Sequence, residues 1–130
     1  MTIRTLTKTI ERQYKNNGQH LEQLYRYNMT GRLEKADNRE GADLDNIQIK
    51  SARATVCKGT DCKAYIENDI ATVYAYVIKD GTKAYEMNKT EWIAFVEMFG
   101  TVTTESGKNN GGLKIRLKCE SKAMIDYLNR

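Results

Sequence analysis

The chain has 130 residues, with 21 Lys and Arg against 17 Asp and Glu, a formal net charge of +4 and a pI near 8.9. That length suits one domain around one core, and the mildly basic balance is compatible with phosphate contact without being diagnostic of it. No apolar run reaches membrane-spanning length and no secretory leader is visible, so a soluble cytoplasmic protein with no membrane partner is expected.

Ile3, Leu6, Ile10, Tyr14, Leu21, Leu24 and Tyr25 recur at near-helical spacing. They predict one helix, or two joined near Asn16-Asn17-Gly18, with an apolar stripe along it. Glu22 sits at the border of that stripe, where a carboxylate can reach round the edge of a sheet packed on the helix; the alternative is an ordinary surface glutamate. Met29-Thr30-Gly31 reads as the helix end, with Gly31 suited to a left-handed cap. Arg32 to Ala36 is predicted as a short strand and Asp37 to Gly41 as loop.

The run Asp43-Leu44-Asp45-Asn46-Ile47-Gln48-Ile49-Lys50 follows. Asp45-Asn46 has the chemistry of a tight turn, which would pair Leu44 with Ile47 and Asp43 with Gln48. Side chains alternate along a strand, so Gln48 and Lys50 share one face while Ile47 and Ile49 share the other. Directly opposed residues project on the same face, which would gather Asp43, Gln48 and Lys50. The bland alternative is a hairpin whose outer face is merely polar. The second strand is expected to run on through Ala52 to Val56, and Cys57 to Cys62 reads as a turn.

Ile70 to Ile78 is rich in β-branched and aromatic residues, and its near-continuous apolarity predicts a central strand covered on both faces. Asp80-Gly81 marks a turn, and Ala84 to Met87 returns. Asn88-Lys89-Thr90-Glu91 has capping-box spacing and opens a helix with Trp92, Phe95, Val96 and Phe99 on one face, ended by Gly100. Those aromatics would suit a platform for bases, but their spacing favours core packing. After a polar loop from Glu105 to Gly112, Leu113, Ile115 and Leu117 alternate with Lys114, Arg116 and Lys118. The cations form a candidate phosphate track, joined by Lys108 and Arg53; the alternative is an edge strand guarded by charge. Ser121 caps a last helix.

Cys57 and Cys62 have no second pair to complete a zinc site; a structural zinc with His20 as fourth ligand is the alternative to free thiols of Cys57, Cys62 and Cys119 in a reducing compartment. A single histidine argues against a hydrolase with a histidine base. The element order predicts an α/β (α+β) domain over residues 1–130, with a mixed sheet of about five strands flanked by helices.

In order, Gly18-x-x-x-Glu22 on a helix, then Asp43, then Gln48-x-Lys50, resembles the PD-(D/E)xK nuclease superfamily of restriction-endonuclease-like enzymes. The Gln-x-Lys element is similar to that of Mrr-type restriction enzymes, and the short gap from Asp43 to Gln48 is similar to that of a mismatch-repair nicking enzyme. The resemblance covers residues 18–51. It implies a Mg2+- or Mn2+-dependent DNA endonuclease in which Asp43, Glu22 and the oxygen of Gln48 hold the metal and Lys50 serves catalysis. Arg53, Lys108, Lys114, Arg116 and Lys118 would then contact DNA. At this length, site choice would come from loops or from a second copy of the chain. No Pro precedes Asp43, and Gln48 replaces an acid, which removes one negative charge from the metal site. The whole chain also resembles short proteins of phages and mobile elements. The implied alternative is a nuclease-like fold without catalysis, acting by binding a host defence (CRISPR or restriction) nuclease complex.

Overall fold

The computed structural model describes residues 1–35, 43–104 and 112–130. Its elements, in chain order, are β1 (Thr2–Thr5), α1 (Asn17–Thr30), β2 (Ile47–Lys50), β3 (Thr55–Lys58), α2 (Cys62–Glu67), β4 (Val73–Val77), β5 (Lys83–Asn88), α3 (Lys89–Phe99), β6 (Gly100–Thr104), β7 (Leu113–Leu117) and α4 (Lys122–Leu128). The class is α+β. Instead of one sheet of about five strands, the described residues form a four-stranded sheet ordered β1-β5-β4-β2 and a three-stranded sheet ordered β3-β7-β6. Only β2 and β4 run parallel.

The four-stranded sheet is built around the predicted central strand. Ala75, Val77 and Ala84 face α1 and pack with Ile49, Leu6, Leu21, Leu24 and Tyr25. Small residues on that face let the helix come close. The approach continues at the β4–β5 turn, where a Cβ on Gly81 would lie 2.8 Å from Leu24 Cδ2 and the residue has φ +76°. On the opposite face, Tyr74, Tyr76, Tyr85 and Met87 join Trp92, Phe95, Phe99, Ile115, Leu117 and Met124 in one cluster. This larger core lies between the two sheets, with α3 touching β4 and β5 on one side and β6 on the other.

Local signals formed as expected where they close within a few residues. Asn88 and Glu91 cap α3 reciprocally, at 2.8 and 3.0 Å. Gly31 ends α1 with φ 73°, and the Ser121 hydroxyl accepts from Met124 N–H at 3.2 Å. Trp92 is fully buried and stacked on Tyr74 at 5.2 Å, so the core role holds and the base platform does not.

Several expectations are corrected. Ile3 belongs to β1, which pairs with β5, so the apolar stripe of one long helix is divided between a strand and α1. Arg32 to Lys35 is irregular; its carbonyls and Glu34 instead bind the buried α1 residues Gln23 and Arg26. The strand from β2 does not run on to Val56. The chain breaks at Arg53, a non-glycine residue at φ 69°, and β3 joins the other sheet. The Cys57–Cys62 turn leads into α2, capped by Asp61. Both thiols are buried 3.2 Å apart, and burial, aided by the neighbouring Cys57, pushes the Cys62 thiol up to about 12. Finally, β7 is the middle strand of its sheet, which removes the edge-guard reading of its cations.

The α3–β6 junction uses no loop residue. A Cβ on Gly100 would lie 2.5 Å from the Val96 carbonyl oxygen and 2.6 Å from Ile115 Cγ2, and neither backbone nor core can give way freely. Gly100→Ala is therefore expected to lose about 1–3 kcal/mol of stability, seen as a lower urea midpoint with an unchanged slope; a midpoint equal to wild type would show that the junction relaxes.

Candidate active site

The site is assembled from the predicted turn. Leu44 and Ile47 exchange backbone hydrogen bonds of 3.1 and 2.7 Å across Asp45-Asn46, and Asp45 takes φ 49°. The turn is docked on the start of β4, because Asn46 O accepts from Thr72 and Val73 N–H at 2.9 and 3.2 Å. No ladder continues to Asp43–Gln48. Instead the Asp43 carboxylate swings to the sheet edge and accepts Ile49 N–H at 2.8 Å. Asp43 thus covers a donor on an edge strand, a need that any sheet edge has, and is fixed in place by doing so.

Gln48 and Lys50 stand opposite Tyr74 and Tyr76 in the parallel register, so they share the tyrosine face, away from α1. Glu22 lies on α1, which covers the other face. Because β2 is the edge strand, one cavity of about 280 Å³ wraps round it and is lined by Glu22, Asp43, Gln48 and Lys50 together, with Asn16, Gly18 and Thr55 among its other walls. Gly18 is there because space is short: a Cβ would meet Asn16 Oδ1 at 3.1 Å and Ser51 Oγ at 3.5 Å.

Lys50 donates to the Thr55 carbonyl at 3.1 Å. Burial lowers the pKa of its ammonium below the ordinary lysine value, against the opposing pull of Asp43, Asp69 and Glu22. A desolvated cation among three carboxylates is a strong local source of field. Asp69 was not anticipated: it follows α2, far from the motif in sequence, and is oriented by the Tyr74 hydroxyl at 2.8 Å. The β2–β4 register, which places Tyr74 opposite Gln48, brings it to the site, where it lines a cavity with Gln48 and Lys50.

The oxygen-only set of Glu22, Asp43 and Gln48 matches the preference of a hard cation such as magnesium, which keeps much of its water and takes one or two carboxylates. Among the described residues, no three His, Cys, Asp or Glu side chains converge as a metal site. An ion here would therefore rest on two carboxylates with the Gln48 amide oxygen.

The cationic candidates divide. Arg53 and Arg116 line a cavity of about 400 Å³ that adjoins the site, with Arg116 Nε donating to Arg53 O at 2.9 Å. Lys114 projects from the same face of β7 as Arg116, paired with Lys58 on β3 and Thr103 on β6. Lys118 is exposed just past β7, and Lys108 lies outside the described residues.

No helix among the described residues is long and apolar enough to cross a membrane. No protein-family model matches the chain, and no curated protein or solved structure matches it.

Proposed function

We propose that the chain is a metal-dependent endonuclease that hydrolyses phosphodiester bonds in DNA. One observation carries the reading: four residues picked out by order in the sequence, Glu22, Asp43, Gln48 and Lys50, line a single cavity although they come from two elements and a turn. Glu22, Asp43 and the Gln48 oxygen would hold magnesium or manganese, which when bound polarises a phosphate oxygen and acidifies water. The protein's own contribution is placement and field. Ile49 N–H fixes Asp43, and Thr55 O holds the Lys50 ammonium beside the carboxylates. An ammonium already held in place can stabilise the charge that builds on the phosphate oxygens without reorganising at the moment of reaction. Arg53 and Arg116, which line the adjoining cavity, are the candidates to contact the phosphates flanking the cleaved bond.

Supercoiled plasmid or circular single-stranded DNA incubated with magnesium or manganese should be cut by wild type, and about 100-fold or more slowly by Asp43→Ala and Lys50→Ala. Equal cleavage by all three, or no cleavage of either DNA by wild type, sinks the reading.

A second reading keeps the fold without the chemistry. It is favoured by the engagement of Asp43 with a backbone donor and by an amide where a third acid would be. The protein would then act by binding a host defence nuclease complex, and would co-purify with such an effector whether or not Lys50 is replaced by Ala.

A further inference from the structure

The site cavity is the middle of a longer trough. Towards Arg53 and Arg116 it shares Asn16, Gly18, Ser51 and Ala54 with the arginine-lined cavity. In the other direction it shares Gln48, Lys50 and Thr55 with a cavity of about 300 Å³. That one shares Tyr65 and Asp69 with a further cavity of about 510 Å³, walled also by Asp61 and Asn68.

The two ends have opposite chemistry. One carries two guanidinium groups. The other carries two carboxylates, Asp61 and Asp69, and one amide beside the Lys58 ammonium, with Lys89 Nζ donating to the Asp69 carbonyl at 2.7 Å. Both carboxylates are held in place, Asp61 by Ala64 N–H at 3.0 Å and Asp69 by the Tyr74 hydroxyl at 2.8 Å. The carboxylates there favour a nucleobase over a phosphate, because ring and exocyclic N–H groups donate to such acceptors. Tyr65, 44 % exposed, supplies an open ring at the junction, and Ile70, 71 % exposed, stands beside it in the same wall.

We propose that the trough takes an unpaired strand. Its phosphates run past Arg53, Arg116 and Lys50, and one base turns out onto Tyr65 with its donor edge towards Asp69 and Asp61. This rests on the nuclease reading and names its substrate class. Paired duplex cannot enter in this way without flipping a base out, since its base faces are stacked and its Watson–Crick donors are paired. Aromatic stacking beside a cationic track is how proteins hold single strands irrespective of sequence.

The test is fluorescence anisotropy with a labelled mixed-sequence oligonucleotide, single-stranded or as its blunt duplex, in EDTA so that no cleavage intervenes. Wild type should prefer the single strand by about ten-fold or more. Tyr65→Ala should lose about ten-fold for the single strand and little for duplex, and Tyr65→Phe, which keeps the ring, should recover to within about two-fold. Arg53→Ala should weaken both substrates and flatten the salt dependence. Wild-type affinity in Tyr65→Ala, equal or tighter binding of duplex, or no binding of either, overturns the proposal. Tyr65-dependent binding of single strands without cleavage of either plasmid or single-stranded DNA would leave it standing and remove the nuclease reading instead.

Discussion

Titrated from about pH 9 to about pH 12, the protein should unfold in one cooperative step that begins near the ordinary tyrosine value of about 10. Three buried phenols cause this. Tyr25 donates to Glu86, Tyr74 to Asp69 at 2.8 Å and Tyr76 to Glu120 at 2.9 Å. Burial raises all three pKa values well above the usual tyrosine range, and the carboxylate partners raise them further. The unfolded chain releases these protons near pH 10 while the folded protein keeps them. Their stabilising share is therefore intact below about 10 and drains away as pH climbs towards the folded values. Each tyrosine removes about 1.4 kcal/mol per pH unit in that window, so three remove at most about 4. A domain holding about 5–15 kcal/mol in all is exhausted within about one to four units. With eight tyrosines in the chain, the accessible ones ionise first, and the last part of the tyrosinate absorbance should appear together with the loss of far-UV circular dichroism; Tyr76→Phe should move that midpoint upward. Full tyrosinate absorbance reached with the far-UV signal unchanged would refute the account.

The second large effect is expected at Phe95. Its ring lies 5.4 Å from Tyr76, 5.6 Å from Trp92, 5.3 Å from Phe99 and 6.0 Å from Tyr127, and it is fully buried between the sheets. Truncation to alanine removes transfer energy and leaves a cavity, about 3–5 kcal/mol together. The loss of four aromatic pairings places it at the upper end of that range. Urea unfolding followed by the fluorescence of Trp92 at neutral pH measures the loss directly. Met98→Ala, on the exposed side of the same helix, should stay within about 0.5 kcal/mol. A Phe95→Ala protein as stable as Met98→Ala would mean that the core repacks around the gap.

Much of the site was readable from local chemistry. The Asp45-Asn46 turn closes on its neighbours, and strand alternation then dictates that Gln48 and Lys50 share a face. Glu22 at the stripe border was enough to foresee a carboxylate reaching round a sheet edge. Long-range pairing was not readable. The strand Thr2–Thr5 is held by residues 83–86, and its Ile3 and the following Leu6 mimic a helical repeat. The break at Arg53 needs a left-handed backbone at a residue with no such preference. Helix α2, six residues long, is too short for a periodic signal, so Asp69 and Tyr65 were lost with it. The cations of β7 alternate identically on an edge or a middle strand, and only its neighbours β3 and β6 decide.

The pairing of β1 also bears on how the chain is made. Thr2 finds its partner only at Glu86. A ribosome adding about 5–20 residues per second leaves this strand waiting for roughly 4–17 s before its neighbour exists. Through that interval the emerging polypeptide carries an unmatched extended segment, kept short and marked by Arg4, whose guanidinium later clasps Glu86 at 3.0 and 3.2 Å. Synthesis from the other direction would meet no such delay, and a circularly permuted gene that places Thr2–Thr5 after Asn88 should yield more soluble product from the same translation system.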